Sequence, residues 1–140
     1  MKILKYILPT LLFAMLALSS AEAKRVKKPV YIFGFSASFK DSVVYITDVQ
    51  QVDGAWTDTK THFLLGRDSY STQLKDHFTD KMQQGDRICL VFYAHSKRKA
   101  AQEYEKIKKK YTEKSKIAYD VRQLPLSDFR FEAVDVSEQQ

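Results

Sequence analysis

Only one cysteine, Cys89, occurs in 140 residues, so no disulfide can form within the chain in any redox compartment. Glycine and proline are scarce, at four and three residues, and no Gly-rich turn of the kind that wraps a phosphate is present. The three histidines, His62, His77 and His95, are scattered, with no H-x-x-x-H spacing and no cysteine partner, which argues against a zinc site. No cofactor motif, internal repeat or low-complexity linker interrupts the chain. These absences point to neither a metal nor a cofactor. They also leave one domain that must be held together by its apolar core.

The longest apolar run, Tyr6 to Leu18, is too short to span a bilayer. At about 1.5 Å per residue in a helix it covers roughly 20 Å of a hydrocarbon core roughly 30 Å thick. Lys2 and Lys5 precede it, and small residues Ala21 and Ala23 follow it. A basic start, an apolar middle and an A-x-A site are the pattern of a cleavable signal peptide over 1–23. A membrane anchor is the rival reading, favoured by Lys24, Arg25, Lys27 and Lys28 after the run; length and the A-x-A site outweigh it. No cysteine lies near the site, so a lipid anchor is not expected. The expected organisation is a signal peptide, a basic flexible lead-in over 24–29, one domain over 30–136 and a disordered tail over 137–140. The protein is expected to be exported, to a bacterial periplasm or medium, with no transmembrane segment in the mature chain.

Charge is unevenly placed. The formal net charge is +6, of which residues 24–140 keep +5. Residues 24–28 contribute +4 and residues 97–116 contribute +6, so the remainder is acidic. A polarised molecule of this kind offers one basic surface to an anionic partner.

The pattern of residues predicts an α+β fold. Tyr31, Phe33, Phe35 and Phe39 alternate with small residues, giving a strand with one buried face. Lys40-Asp41-Ser42 turns the chain into a β-branched run, Val43 to Val49. Asp53-Gly54 has the chemistry of a tight turn, which predicts that Ala55 to Leu65 returns as a third strand holding Trp56 and Phe63. Tyr70, Leu74, Phe78 and Met82 recur every four residues on a helix capped by Ser69 or Ser71 and stopped at Gly85. The apolar run Arg87 to Tyr93 predicts a central strand. Ser96 caps an amphipathic helix over 97–113, with Ala100, Tyr104, Ile107 and Tyr111 on its inner stripe. Ile117 to Leu124 is a further strand, and Phe129, Phe131, Val134 and Val136 suggest a short edge strand. The expected architecture is a two-layer sandwich of about 4–6 strands in a mixed sheet, with two helices on one face and the order β-β-(β)-α-β-α-β.

The candidate ligand-binding residues are His95, Ser96, Lys97, Arg98 and Lys99. Three cations occupy the first turn of a helix, where the backbone dipole favours acids; such conflicts concentrate at functional sites. Free N–H groups, the Ser96 hydroxyl and these cations together suit a phosphate, sulfate or carboxylate. The plainer reading is a solvated turn. Lys106, Lys108, Lys109, Lys110, Lys114 and Lys116 extend the basic character toward the helix C-terminus, where cations suit the dipole. Cys89 sits in the most apolar run and reads as a small hydrophobe. Arg67 reads as half of a salt bridge or as a ligand-orienting group. Asp41, Asp48, Asp53 and Asp58 match turns and strand ends.

Residues Arg87 to Leu124, with Ser96 at a strand end and Ala100 on the following helix, resemble the second half of a SPOR-type glycan-binding module. The resemblance spans about a third of residues 24–140. The hairpin before the first helix departs from that family's order, and no residue role is carried over. The leading expectation is an exported, non-enzymatic binding or accessory module whose basic second helix contacts an anionic envelope surface, a glycan or an acidic protein. Nucleic acid is not expected as a partner. Two alternatives are a small hydrolase using Asp41 or Asp48 with His62, and a self-associating structural envelope protein that pairs through a free edge of the hairpin sheet.

Overall fold

A computed structural model describes residues 24–136; the expected signal peptide and the expected disordered tail lie outside the described residues. Over the described residues the class is α+β, with a five-stranded mixed sheet, two helices and the order β-β-β-α-β-α-β. The strands are β1 (Arg25–Ala37), β2 (Val43–Thr47), β3 (Gln50–Asp58), β4 (Ile88–Ala94) and β5 (Asp120–Leu124). The helices are α1 (Arg67–Asp80) and α2 (Lys97–Thr112). Among the described residues no helix is long and apolar enough to cross a membrane.

Strand β1 is the centre of the sheet. One of its sides carries β2 and β3 end to end, both antiparallel to it, as a single bent ribbon; the other carries β4, also antiparallel. Strand β5 runs parallel to β2 on that strand's far side. The lead-in was expected to be flexible, but β1 starts at Arg25 and pairs Arg25 through Lys28 with Asp58 through Ala55. The basic residues are therefore sheet residues, and Lys27 lies over the Trp56 ring.

Asp53-Gly54 is not a turn. It lies inside β3, where the register slips between Lys28 and Val30 and Gly54 has φ +79°. The extra residue is a bulge, which needs the same left-handed backbone that a tight turn needs. The slip brings Val52 and Ala55, three apart and of opposite parity, into one core.

Each face of the sheet receives its own helix, rather than both sharing one. Phe33 and Phe35 meet Tyr104 and Tyr111 of α2, at ring separations of 5.6 and 4.8 Å. Gly34, between them, points the other way, where a Cβ would fall 2.5 Å from Leu74 of α1. On the α1 face, Tyr70, Leu74 and Phe78 join Val30, Ile32, Tyr45 and Val91 in the main core. Helix α1 begins at Arg67 behind Gly66, with no side-chain cap, so neither Ser69 nor Ser71 starts it. It ends before Gly85: Gln83 takes φ +56° and the Gln84 N–H closes on the Phe78 carbonyl.

The apolar run in β4 does not make it central. The strand lies at the edge of the sheet, with Ile88 and Leu90 exposed. Residues 127–136 form a strap and not an edge strand. Phe129 and Phe131 bury themselves beside α1, and the strap's backbone is held by side chains: Gln50 takes the Phe131 N–H and donates to the Phe129 carbonyl, while Gln73 does the same at Glu132.

Candidate functional site

Helix α2 is the most charged element and the one most fully turned to solvent. Its inner stripe is short: Ala100 is buried, and Tyr104, Ile107 and Tyr111 are half-buried. The aromatic pairs with Phe33 and Phe35 fix its rotation about its own axis. Apart from Lys108, which is also half-buried, the rest of the helix is exposed. Arg98, Gln102, Glu105, Lys106, Lys109 and Lys114 border an open trough of ≈ 550 Å³ along the outer side. Ion pairs among the described residues lie away from it, at Lys40–Asp86, Arg87–Asp41 and Arg122–Asp120. Two α2 lysines instead rest on tyrosines of the same helix, Lys108 over Tyr104 and Lys110 over Tyr111.

The residues His95 to Lys99 are all exposed. Ser96 has extended backbone and its hydroxyl accepts from the Lys99 N–H at 3.2 Å, so its oxygen is engaged in capping the helix. His95 Nε2 is 2.7 Å from the His62 carbonyl. Of the five candidates, His95 and Lys99 share a groove of ≈ 510 Å³ that wraps the end of β4, together with Arg67, Tyr93 and Glu103. Lys97 and Arg98 do not line it, and Arg98 lies on the outer trough.

Arg67 was missed as a member of this groove. Its Nε and Nη2 both donate to the Val91 carbonyl, at 3.1 and 2.7 Å, and its guanidinium lies over the Tyr93 ring. An exposed arginine at a helix start carries no sequence signal that it will reach across to a strand edge.

The acidic residues of the hairpin do not gather. Asp41 accepts from the Val43 N–H and pairs with Arg87. Asp48 accepts from Gln123 and from the Leu126 N–H, tying the strap's start to the sheet. Asp58 accepts from the Thr61 and Lys60 N–H groups, which hold its carboxyl below the usual range. Asp41 lies by Arg87 at one end of β4, and His62 by His95 at the other; the seven residues between span roughly 20 Å. That separation is far beyond hydrogen-bond reach. The Cys89 thiol is pushed up by burial, against a weak contact with Ser36, so it is a poor nucleophile. Among the described residues no three His, Cys, Asp or Glu side chains come together to hold a metal ion.

Among the described residues the arrangement gathers positive charge on a rigid helix and around a strand end, and it keeps Asp41 apart from His62. The chain matches no protein-family model, no curated protein and no solved structure.

Proposed function

We propose that this chain is an exported, non-enzymatic binding module that holds an anionic envelope component or an acidic partner against the solvent side of α2. One observation carries the reading: a helix locked to the sheet by Tyr104 and Tyr111 presents Arg98, Lys106, Lys109 and Lys114 along one outward trough. Cations fixed on a rigid element attract anions without first having to be ordered, which favours association. Of the His95–Lys99 turn, Arg98 belongs to this trough, while His95 and Lys99 border the neighbouring groove at the end of β4.

Binding to vesicles containing anionic phosphatidylglycerol, compared with phosphatidylcholine alone, tests this. Each juxtamembrane cation contributes about 1 kcal/mol at an anionic surface. Replacing Lys106, Lys109 and Lys114 by Gln, or Lys97, Arg98 and Lys99 by Ala, should therefore weaken retention at least about tenfold. Thermal midpoints should not fall, because these side chains are exposed. Equal retention of both variants and the parent, or equal binding to neutral vesicles, removes the proposal.

A further inference from the structure

Phe33, Phe35 and Ala37 of β1 stand opposite Phe92, Leu90 and Ile88 of β4, and directly opposed residues share a sheet face. Phe33 and Phe35 lie under α2, so the three β4 side chains belong to the α2 face. Phe92 stacks on Phe33 at 5.2 Å and is half-buried, whereas Leu90 and Ile88 remain 48% and 44% exposed. Helix α2 passes from Phe33 at Tyr104 to Phe35 at Tyr111, so it runs with β1 and against β4. Its flank toward β4 is marked by Lys99 and Glu103, which share the ≈ 510 Å³ groove with Phe92. Lys106 and Lys110 follow at spacings of three and four, on the same flank, and the directions of the two elements set them alongside Leu90 and Ile88. The result is a step with an apolar floor and a wall of three cations and one acid. Among the described residues the α1 face of the sheet carries a helix and the strap, but the α2 face carries a helix alone.

We infer that this step receives one amphipathic helix of a partner protein, apolar toward the sheet and acidic toward α2. Helices packed side by side lie roughly 8–10 Å apart, and that distance from α2, which sits over β1, falls above β4. The Arg87 and Val91 carbonyls are already taken by Lys75 and Arg67, so the backbone edge is closed to a further strand. The occupant must satisfy its own backbone, as a helix does. An apolar stripe laid in an apolar groove is a recurring mode of helix recognition. The wall sets the charge of the occupant: carboxylates opposite Lys99, Lys106 and Lys110, with one place for a base opposite Glu103. A second copy of α2 is a poor occupant, because it sets one lysine row against another. A flat lipid surface meets the wall first, since the floor lies one layer below it. The inference goes beyond the binding proposed above: of its cations, only Lys106 also borders the outer trough.

The test uses an alanine-based peptide of about 18 residues, long enough to hold a helix, with Leu on one stripe and Glu on the adjoining one. One comparator replaces Glu by Lys, and another keeps the composition but scatters Leu around the helix. Fluorescence anisotropy should show the first binding at least about fivefold tighter than either comparator, as a few exposed ion pairs and one apolar stripe allow. The amide signals of Ile88 and Leu90 should shift together with those of Lys106 and Lys110. Leu90→Gln, at a half-exposed position, should weaken binding about fivefold with a thermal midpoint near the parent's. Joint replacement of Lys99 and Lys110 by Gln should erase the preference for Glu over Lys. Joint replacement of Lys109 and Lys114 by Gln should leave peptide binding as in the parent, whatever it does to vesicle retention, so the two surfaces stand or fall separately. No binding, equal binding of all three peptides, or shifts that spare Ile88 and Leu90 overturns the inference. So does self-association that Leu90→Gln abolishes, or a Leu90→Gln protein that loses vesicle retention while keeping the peptide.

Discussion

Among the described residues Arg87 is the largest fully buried side chain, 2% exposed. Its guanidinium donates to Ser36 Oγ, Gln84 Oε1 and the Val43 carbonyl, and lies over the Tyr45 and Phe78 rings. Asp41 adds an ion pair at 3.6 Å, screened because that carboxylate is half-exposed. A point-charge ammonium cannot serve three acceptors and two rings at once. Arg87→Lys should therefore destabilise by roughly 2–4 kcal/mol, read as a lowered urea midpoint with unchanged slope, given about 1.5 kcal/mol for each charge-assisted bond. In the sequence, Arg87 reads only as the polar boundary of an apolar run. Two of its acceptors, Ser36 and Val43, lie more than forty residues away, and the third, Gln84, is a nearby glutamine with no feature that marks Arg87 as buried. His77 is a second case of burial setting behaviour. Packing against Phe78 and Phe129 lowers its pKa below 6.5; Asp128 opposes the shift and Lys81 adds to it. The neutral ring is thus favoured in the folded state, its contribution is complete above about pH 6.5, and it is lost as pH falls through the folded value. The thermal midpoint should fall on acidification from about pH 7.5 to 5, and less steeply in His77→Gln; identical slopes would exclude this assignment.

At the scale of elements, the helices were the most legible. Tyr70, Leu74 and Phe78 are buried where the four-residue spacing puts them, and Ser96 caps α2 as its chemistry implies. Strand roles were legible only in part. Asp53-Gly54 announces a left-handed backbone but cannot say whether a turn or a bulge uses it. An apolar run announces burial, yet β4 lies at an edge bordered by α1 cations and half-covered by α2. The strap was hidden for a different reason: its partners are the side-chain amides of Gln50 and Gln73, which no period reveals. Gln50 is 4% exposed. Gln50→Ala should leave the Phe129 carbonyl and the Phe131 N–H buried without partners, for about 2–4 kcal/mol of destabilisation, since each orphaned group costs about 1–3. Chemical denaturation checks the loss. Gln73→Ala, at a half-exposed position where water can substitute, should lose much less. Equal losses would mean that burial does not set the value of these clamps.

Over the whole molecule, charge asymmetry was plain in composition, and the fold gives it a place. Positive charge gathers on α2, on the sheet face opposite the main core, so the surface proposed to meet an anion is separate from the surface that stabilises the protein. Vesicle binding should accordingly weaken with added salt, as the screening length falls from about 30 Å at 0.01 M to about 8 Å at 0.15 M, while the thermal midpoint changes little. What composition could not show is how the two helices share the sheet, because both amphipathic stripes are satisfied by either side of it. The strap has a consequence for what its release would uncover. Tyr70 of α1 is fully buried with Phe131 against its ring and its hydroxyl accepting from the Val134 N–H, so freeing residues 127–136 would wet the inner face of that helix. The strap fastens the domain as a buckle does, at a few fixed points.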